Sequence, residues 1–214
     1  MTDGEKRTMK RRIREIALLF AVAGLSACGA SRPVKYFVLD ADVPPAASPQ
    51  PLPVTLLVGR ISATHLYRDD RLVYGSGPAE LGTYEYERWA EAPSDMIQDI
   101  LITSLRSSGQ YRSVSKMAST MRADYIVRGR LFSLYEVDGK PLVGRFSVQL
   151  ELVDPKAGVT IWTDSYSHDE PVSGKKVENV VEALDKSVLA GMQQLTANMG
   201  QYIASHPPQQ AAGH

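Results

Sequence analysis

Apolar and polar residues alternate along the second half of the chain in a pattern that predicts β-strands. Across residues 143–153, apolar side chains take every second position, as in a strand with one buried face. The neighbouring stretches 125–137 and 159–167 are rich in β-branched and aromatic residues. Turn sequences at 138–139 and 154–158 separate the three stretches. We therefore predict a meander of long antiparallel strands at the centre of a sheet.

Two other stretches have the apolar period of amphipathic helices. The first begins at Pro93 and ends at Gly109. Near its start, Asp95 and Gln98 have the spacing of a capping box. The second begins near residues 173–174. Its apolar stripe consists of Val177, Val180, Val181, Leu184, Val188, Leu189, Met192, Leu195, Met199 and Ile203. A stripe of about eight turns is long enough to cover the sheet, and we expect that use rather than contact with a partner helix.

Shorter apolar runs predict four further strands nearer the N-terminus. They cover residues 34–40, 54–58, 71–74 and 83–89. Residues 41–53 contain five prolines and few large apolar side chains. This composition predicts a loop or spacer between the first two of these strands.

The first residues of the chain combine the three features of an export signal. A cluster of lysines and arginines precedes an apolar run at residues 16–25, which is about half the ~20 residues that a membrane-spanning helix needs. The sequence Leu25-Ser26-Ala27-Cys28 then resembles the lipobox of bacterial lipoproteins. We predict a signal peptide at residues 1–27, with Met1 or Met9 as its start, and attachment of acyl chains such as palmitate to the sulfur of Cys28. The alternative, an uncleaved amphipathic helix with a buried free cysteine, requires all three features to coincide by chance.

Length and charge limit the remaining possibilities. The chain has 214 residues, a length that fits one folded domain at 54–205, preceded by a lipidated segment at 28–53 and followed by a disordered tail at 206–214. The 24 Lys and Arg residues balance 24 Asp and Glu residues, so the basic surface expected of a nucleic-acid-binding protein is lacking. With one cysteine, no disulfide can form within the chain.

Side chains that could catalyse a reaction or bind a metal are few. No two of the four histidines have the spacing of metal ligands, and the one thiol is assigned to lipid attachment. Ser167, His168 and Asp169 are the residue types of a catalytic triad, but neighbours along a strand point in alternating directions. Asp69 and Asp70 lie between two arginines, which favours a solvated turn over an acid pair. We therefore expect a protein that is not an enzyme and that uses no cofactor or metal.

Aromatic residues offer the best candidates for contact with a partner or ligand. Tyr84, Tyr86 and Trp89 lie close together in one predicted strand, and Tyr67 precedes it. Strand alternation places Tyr84 and Tyr86 on one face and Trp89 on the other, so at least one side of this group is expected to be buried. Packing in the core is the favoured interpretation for these residues, and a contact surface is the alternative.

Four segments resemble the ABC-type transport auxiliary lipoproteins, a family that accompanies MCE-domain lipid transport systems. They are Tyr36-Phe37-Val38-Leu39, the run from Leu66 to Tyr74, the run from Tyr86 to Pro93, and Ile161-Trp162. Within the third segment, the pattern Tyr-x-x-x-Trp-Ala-Glu-x-Pro at the entry to a helix is the most characteristic. The resemblance extends over most of the chain after Cys28.

This resemblance implies both a fold and a role. It implies a two-layer α/β (α+β) fold similar to the N-terminal domain of TolB, in which two main helices pack on an antiparallel-dominated sheet. It also implies a periplasm-facing auxiliary component of an ABC/MCE transport system for phospholipid or other hydrophobic molecules. The implied partners are an MCE-domain protein, the permease and ATPase, and further copies of the chain.

Two other functions remain open on the sequence alone. A lipoprotein that activates or scaffolds a cell-wall synthase resembles the same fold, and a hydrolase with an unrecognised site would need a deep pocket with converging acids or histidines. Gly29 follows the lipidation site where an inner-membrane retention signal of enteric bacteria has Asp, so we expect the outer membrane rather than the inner membrane.

Overall fold

The computed structural model describes residues 32–40, 51–118 and 122–207. In these ranges the chain forms one sheet of eight strands, two α-helices and a short 3-10 helix. The strands are β1 (Lys35–Phe37), β2 (Leu52–Ala63), β3 (Arg71–Gly77), β4 (Glu80–Trp89), β5 (Tyr111–Lys116), β6 (Tyr125–Val137), β7 (Val143–Asp154) and β8 (Val159–Pro171). The α-helices are α1 (Pro93–Ser107) and α2 (Val177–Ser205), and the 3-10 helix (His65–Tyr67) lies between β2 and β3.

Strand β6 organises the sheet, because it has neighbours on both edges. Along one edge it pairs with β7 in an antiparallel ladder, and β7 pairs with β8 in the same way. On the other edge β6 pairs in parallel first with β2 and then, at its end, with β3. Beyond these strands, β5 extends β2, while β4 and then β1 extend β3. The longest ladders are antiparallel, which confirms the predicted α+β fold with an antiparallel-dominated sheet.

The predicted meander of three strands is confirmed, and its alternation divides the two faces of the sheet. On β7, Phe146, Val148, Leu150 and Leu152 are fully buried, while the residues between them are half-buried. The meander occupies a different place from the one expected. Only β6 lies at the centre of the sheet, and β8 forms an edge of it, since its one partner among the described strands is β7.

Both helices pack on the same face and share one hydrophobic core. Helix α1 contacts β2 and β5, helix α2 contacts β6, β7 and β8, and the two helices touch each other. A glycine on β7 allows the close approach of α2: a Cβ added to Gly144 would lie 3.1 Å from Cδ2 of Leu184, a tight contact. The domain therefore has two layers. In the described ranges, neither helix has the length and apolar composition needed to cross a membrane.

The boundaries differ from the sequence predictions at several points. Strand β1 is shorter than expected, and helix α2 begins at Val177, where the Lys176 backbone N–H donates to Oδ1 of Asn179 at 3.4 Å. Strand β5 was not predicted, because its sequence, Tyr-Arg-Ser-Val-Ser-Lys, has only two large apolar residues. Both of them, Tyr111 and Val114, are buried.

The capping box predicted for α1 is wrong. Ala92 occupies the N-cap position without a side-chain hydrogen bond, and Pro93 provides the first helical residue. Gln98 instead points into the core, where it is 2% exposed and its Nε2 donates to the carbonyl oxygen of Gly59 at 2.6 Å. Gly59 lies where the pairing of β2 with β6 shifts register, so the amide satisfies a carbonyl at an irregular point of the sheet.

Replacing this amide should therefore weaken the fold. Gln98→Met keeps the volume of the side chain but leaves the Gly59 carbonyl without its donor, which should lower the free energy of unfolding by about 1–3 kcal/mol. Gln193→Met, on the exposed side of α2, is the matched control and should change it by less than about 0.5 kcal/mol. Denaturant-induced unfolding measures both values, and equal stability of the two variants would show that the buried hydrogen bond contributes little.

Candidate functional site

The predicted lipidation site, Cys28, lies outside the described residues, so the candidates that the structure places are the aromatic ones. Two of these are in the core. Tyr67 in the 3-10 helix is 2% exposed, and Trp89 at the end of β4 is 1% exposed. Burial raises the pKa of the Tyr67 hydroxyl to about 12, against the effect of a hydrogen bond with the backbone of Leu134. Tyr67 and Trp89 therefore pack in the core, and their burial argues against the alternative of contact with a partner.

Trp89 stabilises the fold in two ways, through a backbone hydrogen bond and through the packing of its ring. Its backbone N–H donates to the carbonyl oxygen of Asp70 at 2.6 Å, and Asp70 in turn accepts a hydrogen bond from Arg88 at 2.7 Å. These contacts hold the turn before β3 against the end of β4. The indole N–H of Trp89 has no hydrogen-bond partner among the described residues. The ring therefore contributes mainly by filling the core.

The other two candidates, Tyr84 and Tyr86, are half-buried. The hydroxyl of Tyr84 donates to a carboxylate oxygen of Glu136 at 2.7 Å, and partial burial, followed by this bond, raises the pKa of Tyr84. The Tyr84 ring meets Tyr74 edge to face, with 5.0 Å between ring centres. Tyr74 is the exposed member of this pair, at 41%, and the sequence did not identify it as a contact residue.

In the sequence Ser167-His168-Asp169, the carboxylate and the imidazole have other partners. Two nitrogens of Arg145 donate to the two carboxylate oxygens of Asp169 at 2.6 Å each, and this interaction lowers the pKa of Asp169. His168 lies 3.2 Å from a carboxylate oxygen of Glu170. These side chains border an open polar hollow of about 550 Å³. Among the described residues, no group of three or more His, Cys, Asp or Glu side chains is arranged to hold a metal ion.

A row of apolar side chains is exposed at the opposite end of the sheet, on and beside β1. Val34, Tyr36 and Val38 are 40%, 64% and 59% exposed, and we call these three residues the β1 face. Two of the residues between and after them point inward, since Phe37 is half-buried and Leu39 is 5% exposed, whereas Lys35 is exposed and pairs with Glu178 at 2.9 Å. Sequence reasoning identified this strand but not its exposed side. A two-residue alternation shows that a strand has two faces and does not show which of them the rest of the chain covers.

The β1 face continues into a groove between the end of β1 and helix α1. Its volume is about 300 Å³, at the lower end of the range of small-ligand sites. Leu39, Met96 and Ile100 supply an apolar floor, each less than 10% exposed. Carboxylates of Asp40, Glu91 and Asp99 are on the rim. Lys116 pairs with Asp99 at 3.2 Å, so the rim is only partly neutralised.

A pair of acids joins this region to helix α2. The carboxyl of Asp185 accepts a hydrogen bond from the Asp40 backbone N–H, and the Asp40 carboxylate is close enough to repel it. Burial and then this repulsion raise the pKa of Asp185 from 3.8 to about 6. One of its oxygens, Oδ1, is buried without a hydrogen-bond partner among the described residues. Asp185 therefore opposes folding when it is ionised.

Comparisons with known proteins agree with the architecture. The family model described as "ABC-type transport auxiliary lipoprotein component" matches residues 37–200. A solved DUF330-family protein from Xanthomonas campestris is 18% identical, with 80% of this chain and 99% of that chain covered and a TM-score of 0.71. A hypothetical protein from Chlamydia trachomatis is 9% identical, with 72% and 99% covered and a TM-score of 0.51. At these low sequence identities, the two structural matches show only that the folds are alike. No curated protein sequence matches the chain.

The acid pair makes stability depend on pH. Because the pKa of Asp185 is higher in the folded state than in the unfolded chain, the folded state binds the proton more tightly, and stability is lost as pH rises from 3.8 to about 6. After discounting for its partial exposure, Asp185→Asn should raise the free energy of unfolding by about 1 kcal/mol at pH 8 and change it little near pH 4.

Denaturant unfolding at the two pH values tests this expectation. Asp138→Asn, in the exposed turn between β6 and β7, is the control for removal of one negative charge. A gain of stability in Asp185→Asn that is the same at both pH values, or that Asp138→Asn shares, would contradict the assignment.

Proposed function

The chain belongs to the family of ABC-type transport auxiliary lipoprotein components, and from this premise we propose that it is a periplasm-facing auxiliary subunit of an MCE-type transport system. The cargo of such a system is phospholipid or another hydrophobic molecule. The observation that carries the proposal is the family match, which covers residues 37–200 and begins nine residues after the predicted lipidation site. The match therefore covers the folded domain and leaves the export and anchor segment before it.

Attachment through Cys28 supplies the membrane link in this proposal. The thiolate is a nucleophile that accepts a diacylglyceryl group, and each buried CH₂ of the acyl chains adds ~0.8 kcal/mol of membrane affinity. Two or three chains hold a protein at the bilayer essentially permanently. Gly29, directly after the cysteine, favours the outer membrane.

Docking rather than catalysis is the proposed work of the folded domain. In support, the most catalytic-looking sequence, Ser167-His168-Asp169, has its carboxylate paired with Arg145, which leaves that carboxylate without a role in orienting a histidine. Exposed apolar and aromatic residues such as Tyr36 and Tyr74 suit contact with other surfaces. Assembly of several copies around the transport complex is part of the same proposal.

Co-purification of partners tests the proposed function. The full chain, tagged at its C-terminus, is recovered from detergent-solubilised membranes of its own host, and the bound proteins are identified by mass spectrometry. We expect an MCE-domain protein together with a permease and an ATPase. The control is Cys28→Ala, in which the sequence of the folded domain is unchanged but the acylated thiol is missing, and its recovery of these partners should fall several-fold.

The competing function gives a different result in the same experiment. If the chain activates or scaffolds a cell-wall synthase, a penicillin-binding protein will be recovered and the transport subunits will not. That outcome would contradict the transport assignment while leaving the lipoprotein assignment intact.

A further inference from the structure

The exposed apolar residues of the domain are concentrated at one place. Seven large apolar side chains are more than a third exposed in the described residues, and three of them, Val34, Tyr36 and Val38, fall within five consecutive positions. Scattered exposed apolar residues are normal in a folded protein, whereas a contiguous group marks a surface that contacts something. The β1 face is therefore the first candidate for a surface that is covered in the cell.

The backbone holds this face in a fixed direction. Strand β1 pairs in parallel with β4, and the N–H of Ala90 donates to the carbonyl oxygen of Phe37 at 2.7 Å. Lys35 forms an ion pair with Glu178 of α2 at 2.9 Å. With Phe37 and Leu39 directed inward, alternation directs Tyr36 and Val38 outward. The exposure thus follows from the register of an ordered strand.

Chain length identifies what lies near this face. Val34 lies six positions after Cys28, and six residue steps of a fully extended chain span at most about 20 Å. If the sulfur of Cys28 carries acyl chains, Val34 must stay within that distance of the membrane surface. Tyrosine is enriched at the membrane interface, because its ring prefers the acyl boundary and its hydroxyl prefers water.

We propose that the β1 face lies against the leaflet that holds the Cys28 anchor, with Tyr36 and Val38 in contact with the headgroup region of zwitterionic phospholipid. This inference rests on the proposed lipidation. The carboxylates of Asp40, Glu91 and Asp99 lie beside Val38 on the rim of the groove, and an anionic surface would repel them. The contact fixes which side of the domain faces the membrane and leaves β8 and the polar hollow directed elsewhere.

A single introduced cysteine tests the contact, since acylation consumes the one native thiol. Val38→Cys and the matched control Val159→Cys replace valines that are 59% and 51% exposed, the second at the start of β8. Each full-length lipidated protein is labelled with a polarity-sensitive fluorophore and reconstituted into phosphatidylcholine vesicles. We expect acrylamide, a water-soluble quencher, to quench the label at position 38 at least three-fold less than the label at 159, and a nitroxide-bearing lipid to quench only the former.

Each other outcome has a definite meaning. Equal quenching at the two positions by both quenchers would overturn the membrane contact while the anchor stands, as shown by flotation of the protein with the vesicles. Protein that does not float would overturn the anchor and the contact together. Protection of position 38 that depends on protein concentration rather than on vesicles would assign the β1 face to a second copy of the chain. Replacing part of the phosphatidylcholine with phosphatidylglycerol should reduce the protection, and increased protection would contradict the role given to the acids.

Discussion

The pairing of β6 on both of its edges is the constraint on which the rest of the domain depends. On one edge β6 pairs with β7, which pairs with β8. On the other edge β2 and β3 pair with successive parts of β6, and β5 and β4 pair in turn with β2 and β3. The helix-side residues of β6 lie beneath the helical layer and are buried: Val127, Leu131 and Leu134 are all at most 1% exposed. Both helices cover this one face: α1 packs on β2 and β5, and α2 packs on the three strands of the meander. Edges of the sheet remain at β1, β5 and β8 among the described strands, and these are the places where the domain can meet other surfaces.

Strand β1 is the first described element after the predicted lipidation site. It is a three-residue strand at the edge of the sheet, paired with β4, and Phe37 and Leu39 join it to the hydrophobic core. If Cys28 is lipidated as we propose, this edge strand would connect the anchor to the β4–β3 pair through backbone hydrogen bonds. The acids Asp40 and Asp185 lie at this junction. Ionic repulsion between them offsets part of the stabilisation that β1 gains from the Lys35–Glu178 ion pair, which is exposed and weak.

Local sequence patterns predicted most of the strands and helices, but they did not predict which strands pair with each other or which residues the helices cover. The meander and the stripe of α2 were predictable because each has a long run of one period and its pairing is sequential. The parallel pairs that β2 forms with β5 and β6 could not be predicted, since such contacts join residues far apart in sequence and no turn specifies their register. Alternation along the strands could not identify Trp89 as core and Tyr74 as surface, because burial depends on which layer covers each face. Gln98 was mistaken for a capping residue because its partner, Gly59, lies 39 residues away.

Membrane attachment through Cys28 is the central claim, because the location, the proposed partners and the orientation of the β1 face all depend on it. The most direct measurement is mass spectrometry of the mature protein purified from membranes of its native host. We expect an N-terminus at Cys28, with residues 1–27 removed and the added mass of a diacylglyceryl group, with or without a third acyl chain. A chain that keeps Met1 or Met9 at its terminus and carries an unmodified Cys28 would contradict it.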